Sequence, residues 1–250
     1  MQERRKEMVD LINTKGSVSF NELKEHFPNV SEMTLRRDLE CLDQNRKIVR
    51  IHGGAKSVDV VIGTEDLFLK RSARNVENKK LIAEKAIKLI QPHSSIYVDS
   101  GSTATEFARV FPDGDYQIFT SGLSCALELA RLSHVQVHVV GGQMNSQSLS
   151  MNGSRSISYL ENINFAISFF GVTGYSSVRG FTCGEEEEYA LKRAVIERSE
   201  KVVLLMDATK VGLASTFTFA TPEDIDIVVT DQNLDVATKL ELKQAGVTIY

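Results

Sequence analysis

Residues 30–42 read VSEMTLRRDLECL, and this stretch predicts one amphipathic helix whose two faces have different roles. Leu35, Leu39 and Leu42 recur at i, i+4 and i+7, so they share one face of the helix and predict contact with a hydrophobic core. Ser31 precedes them as a candidate N-cap, because its hydroxyl can accept a hydrogen bond from the first turn. The stretch therefore predicts a helix that begins near Ser31 and packs by its leucine face.

The other face of this helix is polar and basic near its start. Thr34, Arg36 and Arg37 project from the opening turns, where a helix that enters the major groove carries its base and phosphate contacts. A small helical domain whose arginines are merely solvated is the alternative interpretation. We expect Ser31, Thr34, Arg36 and Arg37 to contact double-stranded DNA.

A second helix start lies shortly before this one. Ser19 and Glu22 have the spacing of a capping box, and Val18 with Leu23 can form a hydrophobic staple. The segment Phe27-Pro28-Asn29 leaves room only for a two-turn helix and a tight turn. Two helices in this arrangement predict a helix-turn-helix motif with the second helix as the reader.

A basic segment rich in β-branched residues follows the reader helix. Residues 47–51 read KIVRI and predict a strand that breaks at Gly53-Gly54. Two short strands joined by a glycine turn would form a wing, which would bring Arg50 and His52 close to a phosphate or to the minor groove. The pattern adds these two residues to the candidate DNA contacts.

These N-terminal motifs resemble a known family. Ser31 and Thr34, with LRRDL at residues 35–39 and RIHGGA at residues 50–55, are similar to the winged-helix signature of the DeoR family of bacterial sugar-catabolism regulators. One departure is Pro28-Asn29, which stands where many members have a single glycine. The resemblance implies that the N-terminal part binds operator DNA.

The 250-residue chain carries a formal net charge of −4, but the charge is unevenly distributed. Residues 1–56 contain 11 lysines and arginines against 9 acidic residues, whereas the remainder contains 18 against 24. A basic N-terminal part on an acidic chain fits a DNA-binding domain attached to another domain. No apolar run is long enough to span a bilayer, and the start lacks the apolar segment of a secretory signal, so we expect a cytoplasmic protein without a membrane partner.

The cysteines do not indicate a metal site or a disulfide. Cys41, Cys125 and Cys183 are odd in number, far apart and without metal-ligand spacing. We expect buried or idle thiols, with no metal and no cofactor.

Beyond about residue 79, short apolar β-type runs alternate with amphipathic helical runs. This alternation predicts an α/β domain with a mainly parallel sheet covered on both faces. The segment before it shows no clear periodicity apart from a short helix predicted around residues 65–71. We therefore divide the chain into a winged helix-turn-helix domain at 1–57, with the helix-turn-helix at about 19–43, a linker at 58–78 and an effector and oligomerisation domain at 79–250.

Glycine and hydroxyl residues follow several strands of the predicted sheet. Residues 99–103 read DSGST and open a helix, residues 120–123 read TSGL, and Gly141-Gly142 and residues 171–174 follow two further strands. A parallel sheet binds its ligand at the carboxyl ends of strands, and a helix N-terminus favours an anion. Turn geometry alone explains any one such loop, but several together predict a polyhydroxylated, phosphorylated ligand. A P-loop and a dinucleotide fingerprint are both missing, so we do not expect a nucleotide.

Two charged segments occur later in the chain. Asp207 and Lys210 follow the strand predicted at residues 202–205, where a carboxylate can accept sugar hydroxyls and an ammonium can hold a phosphate. A salt bridge within the loop is the alternative. The glutamate run at residues 185–188 precedes Lys192, and an acidic first turn that complements a helix dipole explains it more simply.

The DeoR-like resemblance extends through this second part of the chain. It implies a fold similar to that of ribose-5-phosphate isomerase, a phosphorylated sugar as effector and a homo-oligomer, commonly a dimer or tetramer. Thr120-Ser121-Gly122 departs from the Thr-Asn pair usual in the family at that loop. Similar motifs are DSGST at residues 99–103, Gly141-Gly142, Gly153, Gly180-Phe181-Thr182, Glu187-Glu188 with Lys192, and Asp207 with Lys210. We expect effector contacts from Asp99, Ser100, Gly101, Ser102, Thr103, Thr120, Ser121, Gly122, Leu123, Gly141, Gly142, Glu187, Lys192, Asp207 and Lys210.

Two functions are compatible with this sequence. The first is a transcriptional regulator, a repressor of a carbohydrate-catabolism operon, that binds operator DNA and senses a sugar phosphate. The alternative is a sugar-phosphate isomerase-like enzyme with an accessory N-terminal domain. Isomerisation needs a carboxylate base. An enzyme has no need of Arg36-Arg37 on a capped reader helix, so we favour the regulator and assign no catalytic residue. The candidates for a base are Asp99, Glu187, Glu188 and Asp207.

Overall fold

The computed structural model describes residues 2–15, 17–45, 47–51, 53–56 and 68–250. The chain divides into two units, Met1–Ile62 and Gly63–Tyr250, and each has its own hydrophobic core. His52, a candidate DNA contact, lies outside the described residues.

The N-terminal unit is a helix-turn-helix with a small sheet. Its helices are α1 (Gln2–Lys15), α2 (Phe20–His26) and α3 (Glu32–Gln44), and its strands are β1 (Ser17–Ser19), β2 (Val49–Ile51) and β3 (Gly54–Lys56). The strands pair antiparallel in the order β1-β3-β2. The two helices of the motif and the strands of the wing are those that the sequence predicts, whereas β1 was not predicted.

Glycine permits the close pairing of β1 with β3. A Cβ atom on Gly54 would lie 2.3 Å from the Val18 carbonyl oxygen, which no side chain allows. Val18 is buried by this pairing and joins the same core as Leu23 and the leucine face of α3. The predicted capping box of α2 is present, since Ser19 and Glu22 bond each other's backbone N–H groups.

The C-terminal unit alternates strands and helices. Its strands are β4 (Ser95–Val98), β5 (Tyr116–Thr120), β6 (Val135–Val139), β7 (Gln143–Asn145), β8 (Ser150–Asn152), β9 (Ile167–Gly171), β10 (Gly174–Ser176), β11 (Gly180–Cys183), β12 (Val202–Leu205), β13 (Phe217–Ala220), β14 (Ile227–Val229) and β15 (Thr248–Ile249). Its helices are α4 (Phe68–Ser72), α5 (Val76–Ala86), α6 (Ser102–Arg109), α7 (Leu123–Leu129), α8 (Ser154–Leu160), α9 (Glu186–Ile196) and α10 (Val236–Gln244).

A seven-stranded sheet forms the centre of this unit. Its strand order is β15-β14-β12-β9-β4-β5-β6, and every pair is parallel. The chain builds outward from β4 in one direction and then from β9 in the other, so the order reverses between these two strands. In open parallel sheets, such a reversal leaves a crevice at the carboxyl ends of the strands.

Both faces of the sheet are buried, as predicted for a parallel sheet. Residues of β4, β9 and β12 alternate between two hydrophobic clusters, so that Phe169 packs on one side and Phe170 on the other. Helices α5, α6 and α7 contribute to one cluster, and α8, α9 and α10 to the other. The mixed α/β fold class is confirmed.

Several elements differ from the sequence prediction. The antiparallel pairs β7-β8 and β10-β11-β13, and helix α8, were not predicted. Residues 68–78 of the predicted linker are folded, since they contain α4 and the first turn of α5. Among the described residues, none of the helices is both long enough and apolar enough to span a membrane.

Candidate functional site

The reader helix α3 begins with a hydroxyl cap. The Ser31 side chain accepts a hydrogen bond from the Thr34 backbone N–H at 3.2 Å, and the two hydroxyl oxygens lie 2.9 Å apart. These bonds satisfy an N–H group that a helix start leaves unpaired. Arg36 and Arg37 follow on the exposed side of the helix. The four candidate DNA contacts of α3 therefore lie within its first two turns.

The position of Arg36 is set by an aromatic neighbour in α2. Its guanidinium carbon lies 4.4 Å from the centre of the Phe20 ring, a distance that allows attraction between a cation and the ring face. Arg36 is thereby held towards α2, and Arg37 beside it is exposed. In the wing, Arg50 is exposed and its backbone N–H donates to Asp43 Oδ1 at 3.1 Å.

A buried carboxylate ties α3 to α1, and sequence reasoning missed it. Asp38 is 2% exposed, and it accepts hydrogen bonds at 2.7 Å from Arg4 Nε and from Arg5 Nε. These two arginines of α1 are therefore committed to a structural ion pair. The spacing could have revealed this role, because Asp38 shares the helix face of Leu35, Leu39 and Leu42.

A polar pocket lies in the C-terminal unit at the reversal point between β4 and β9. The empty space in and around it, which includes open solvent at its mouth, is about 430 Å³. The loops after β4 and β9, the start of α6, and side chains from α4, α9 and the turn after β12 form its walls. The lining residues are Arg71, Asp99, Ser100, Gly101, Ser102, Thr103, Ser148, Gly171, Val172, Thr173, Glu188, Lys192 and Lys210.

A buried ion pair forms part of this pocket. Lys192 Nζ contacts the Asp99 carboxylate, donates to Gly171 O at 3.1 Å and lies 3.1 Å from Glu188 Oε1. Burial lowers the pKa of Lys192, but the carboxylates of Asp99 and Glu188 outweigh it and raise that pKa above its ordinary value. An ammonium has three N–H donors, so these partners occupy the group that we expected to contact the effector.

Asp99 also joins the two strands on either side of the reversal point. It follows β4, and its Oδ2 accepts the N–H of Gly171 at the end of β9 at 3.0 Å. The side chain is 3% exposed. The loops after β4 and β9 are thus held together by one carboxylate.

The loop after β4 leads into the N-terminus of α6. Gly101 precedes the helix with a φ of 102°, a backbone conformation that other residues rarely adopt. The first turn of a helix presents unpaired N–H groups and partial positive charge, which suits an anion. Ser100, Ser102 and Thr103 surround this start and line the pocket.

Two basic residues reach the pocket from separate segments. Arg71 comes from α4, and Lys210 comes from the 3-10 turn Ala208–Lys210 after β12. Lys210 was predicted, but Arg71 and Ser148 were not, because neither follows a strand of the parallel sheet. The sequence pattern around Arg71 predicted only a short helix and gave no indication that this side chain lines a pocket.

The predicted residues of the loop after β5 do not line this pocket. Thr120 is buried and its hydroxyl accepts the Gly122 N–H at 3.0 Å, while Ser121 accepts a hydrogen bond from the Tyr97 hydroxyl at 3.0 Å. A Cβ on Gly122 would lie 3.0 Å from Ser100 Cα, so this loop packs directly behind the loop after β4. Leu123 begins α7.

Gly141, Gly142 and Glu187 also lie outside the lining of this pocket. Gly141 O accepts a hydrogen bond from Ser156 Oγ at 2.6 Å. A Cβ on Gly142 would lie 2.2 Å from Ser156 Oγ, so close packing explains the glycine at this position. Glu187 is exposed in the first turn of α9.

Asp207 follows β12 as predicted, but its contacts are within the protein. Its Oδ1 accepts the Thr209 N–H at 3.1 Å, which caps the 3-10 turn, and it also accepts from Asn75 Nδ2 at 3.1 Å. The residue is 1% exposed and does not line the pocket.

The three cysteines are free thiols, and burial raises the pKa of Cys125 to about 12.

A winged helix-turn-helix unit joined to an α/β unit with a polar pocket defines a DNA-binding regulator with a small-molecule sensor domain. Comparison with known families agrees with this class. The DeoR-like helix-turn-helix domain matches residues 4–61, and the DeoR C terminal sensor domain matches residues 74–232. The chain belongs to the DeoR family of transcriptional regulators.

Similar proteins are known along almost the whole chain. The HTH-type transcriptional regulator GlpR of Haloferax volcanii is 33% identical, over 99% of this chain and 96% of its own length. The putative aga operon transcriptional repressor of Escherichia coli O157:H7 is 30% identical, over 99% and 92%. The lactose phosphotransferase system repressor of Staphylococcus epidermidis is 31% identical, over 94% of each chain.

Solved structures of other proteins are more distant. Ribose 5-phosphate isomerase A from Methanocaldococcus jannaschii has a TM-score of 0.39 and 16% identity, over 55% of each chain. This similarity is too low to support an argument about the site.

Proposed function

We propose that this chain represses transcription of carbohydrate-catabolism genes, and that a phosphorylated sugar in the pocket controls its affinity for operator DNA. The relatives described above include repressors named for an aga operon and for a lactose phosphotransferase system. The observation that carries the proposal is the pocket itself, which is lined by Arg71 and Lys210 together with the start of α6 and several serine and threonine side chains.

The chemistry of the pocket suits the two parts of such a ligand. Arginine, lysine and the N–H groups of a helix start bind a phosphate. Serine and threonine hydroxyls and the Glu188 carboxylate can exchange hydrogen bonds with sugar hydroxyls. Arg71 and Lys210 are cationic side chains that line the pocket together with the first residues of α6, so we assign the phosphate contacts to them.

The same contacts weigh against an enzyme. A base for isomerisation needs a carboxylate that is available to accept a proton from the substrate. Asp99 is held by Lys192 and by the Gly171 N–H, and Glu188, which also lines the pocket, is paired with the same Lys192 at 3.1 Å. We therefore propose a sensor site without catalysis. A repressor of this kind acts in the cytoplasm, and we propose a homo-oligomer, because paired reader helices recognise two half-sites of an operator.

The experiment is a DNA-binding assay on the full chain. Its DNA is first selected by the wild-type chain from a random-sequence library, and fluorescence anisotropy then gives the affinity with and without ligand. Probes are glucose 6-phosphate, fructose 1-phosphate, ribose 5-phosphate, the three unphosphorylated sugars and inorganic phosphate. We expect one sugar phosphate to change the affinity by about 5-fold to 150-fold. Selection of no DNA sequence, or turnover of a sugar phosphate, would refute the proposal.

A further inference from the structure

The side chain of Asn75 forms hydrogen bonds with a turn that is distant in the sequence. Asn75 lies between α4 and α5 as the N-cap of α5, but its side chain makes no capping bond to that helix. Its Nδ2 instead donates to Asp207 Oδ1 and to Thr209 Oγ1, both at 3.1 Å. An asparagine at an N-cap usually accepts a bond from its own helix, so this side chain serves a distant turn.

The backbone of Asn75 is adapted to this arrangement. Its φ of 51° and ψ of 39° are left-handed, a region that asparagine tolerates better than most residues other than glycine. The side chain thereby reaches out of the α4–α5 turn towards the 3-10 turn Ala208–Lys210. The residue is half-buried.

The two turns that Asn75 joins both carry basic residues of the pocket. Arg71 lies on α4, four residues before Asn75, and Lys210 follows Thr209 directly. Asp207, the acceptor, also caps the 3-10 turn through the Thr209 N–H. One side-chain amide therefore fixes the spacing of the two segments that hold Arg71 and Lys210.

Helix α4 is also the first described element after residues 57–67, which connect the sensor unit to strand β3 of the wing. It is attached to the sensor unit by the Phe68 N–H, which donates to Gln147 O at 2.7 Å. Lys79 Nζ bonds the carbonyl oxygens of Arg71 and Arg74. Because Arg71 belongs to α4, a ligand that binds both Arg71 and Lys210 also affects the position of α4.

We propose that Asn75 is a positioning residue that couples occupation of the pocket to DNA binding, by holding α4 to the 3-10 turn that carries Lys210. This assignment rests on the proposed sugar-phosphate control of the same pocket. A coupling free energy between two sites requires an element whose arrangement both sites affect. We assign this role to helix α4, because it contributes Arg71 to the pocket and is the first described element that follows the wing in the chain.

The test uses Asn75→Gly. Glycine accepts the left-handed backbone without strain, so the variant keeps the turn and loses only the amide. The matched control is His93→Gly, since His93 has a φ of 59° and its ring contacts Asp115 rather than the pocket. Both variants are compared with wild type for DNA affinity, with and without the most effective sugar phosphate of the panel above.

We expect wild type and His93→Gly to retain the full ligand-induced change in DNA affinity. In Asn75→Gly, we expect that change to fall to less than about twofold, from the 5-fold to 150-fold typical of coupled sites, while ligand-free DNA affinity stays the same. A merely structural residue would lower the melting temperature and leave the ratio of affinities unchanged. A full response in Asn75→Gly would overturn the assignment.

A second variant tests the same contact without relying on glycine. Asn75→Asp keeps the side-chain shape but replaces the donor with a carboxylate opposite Asp207, so we expect an equal or greater loss of coupling. Amide hydrogen exchange of residues 68–74 gives an independent readout, and we expect ligand to slow it in wild type but not in Asn75→Gly. If ligand slows this exchange equally in both proteins, the assignment is wrong.

The outcomes also separate this assignment from the proposed function. If no probe changes the DNA affinity of wild type, both are refuted. If wild type responds and both Asn75 variants respond equally, the sugar-phosphate control stands and only the assignment to Asn75 fails.

Discussion

Lys192 and Asp99 form an ion pair in which the two side chains are only 1% and 3% exposed. The pair connects α9 to the end of β4, and the Gly171 N–H connects the same carboxylate to the end of β9. Removal of one partner of such a pair leaves a buried charge without compensation. The ion pair therefore holds together α9 and the ends of β4 and β9, which form the pocket wall where the strand order reverses.

We predict that Lys192→Met lowers the free energy of unfolding of the sensor unit by about 3–5 kcal/mol, because Asp99 and Glu188 lose their shared cation. Denaturant unfolding of the full chain, followed by circular dichroism, measures this change. Lys201→Met is the control, since Lys201 is exposed. Equal stability of the two variants would show that the ion pair makes no net contribution.

We predict that Lys210→Met weakens binding of the effective sugar phosphate by about 1.5–3 kcal/mol, which is about 10-fold to 150-fold. The reason is the loss of one charge-assisted hydrogen bond to the phosphate. Isothermal titration calorimetry measures the affinity, and the exposed Lys243→Met serves as control. Unchanged affinity would remove Lys210 from the phosphate contacts. We expect DNA affinity without ligand to stay the same.

We predict that Arg37→Gln weakens DNA binding and lowers the slope of log K against log salt concentration by about 1, because one phosphate contact is lost. Sugar-phosphate binding is expected to be unaffected. Lys6→Gln removes the same charge from α1 and is the control. If sugar-phosphate binding falls together with DNA binding, Arg37 is needed for folding rather than for contact with DNA.

We predict a pH-dependent contribution of Glu22 to helix α2. Hydrogen bonds from the Ser19 backbone and hydroxyl, and then from Lys15, lower the pKa of Glu22 to about 2. A carboxylate with a lowered pKa stabilises the fold above its unfolded pKa of about 4.3, and this contribution is lost as the pH falls towards 2.

Amide hydrogen exchange in α2 measures this contribution in wild type and Glu22→Gln at each pH. We expect the variant to exchange faster at pH 6, and the difference to shrink between about pH 4 and pH 2. Glu25→Gln, an exposed position of the same helix, is the control. A difference that does not depend on pH would contradict the role of the charged carboxylate.

The sequence predicted the elements with long periodic patterns and missed those that depend on a distant partner. Helix α3 was predicted from its leucines and its serine cap, and both are confirmed. Strand β1 has only three residues and forms because Gly54 lets β3 approach Val18. Strand β11 likewise pairs with the distant strand β13, with Thr182 opposite Thr218, which a local pattern does not reveal.

The pocket side chains that depend on a distant part of the chain were also missed by the sequence prediction. The loop after β4 was predicted because ligands collect where parallel strands end. Arg71 and Ser148 come from segments outside that sheet, so their positions depend on the tertiary fold. Asp207 was placed correctly at a strand end, but only the structure reveals that Asn75 and Thr209 share its Oδ1. The contacts assigned to DNA and to the effector stay predictions.

The most direct measurement is the affinity of the full wild-type chain for its selected DNA, at one fixed salt concentration, with and without a saturating sugar phosphate. We predict specific binding that one sugar phosphate changes by about 5-fold to 150-fold, while the corresponding unphosphorylated sugar has no effect. Specific binding that no sugar phosphate in the panel alters would contradict control through the pocket formed by Arg71, Lys210 and the start of α6.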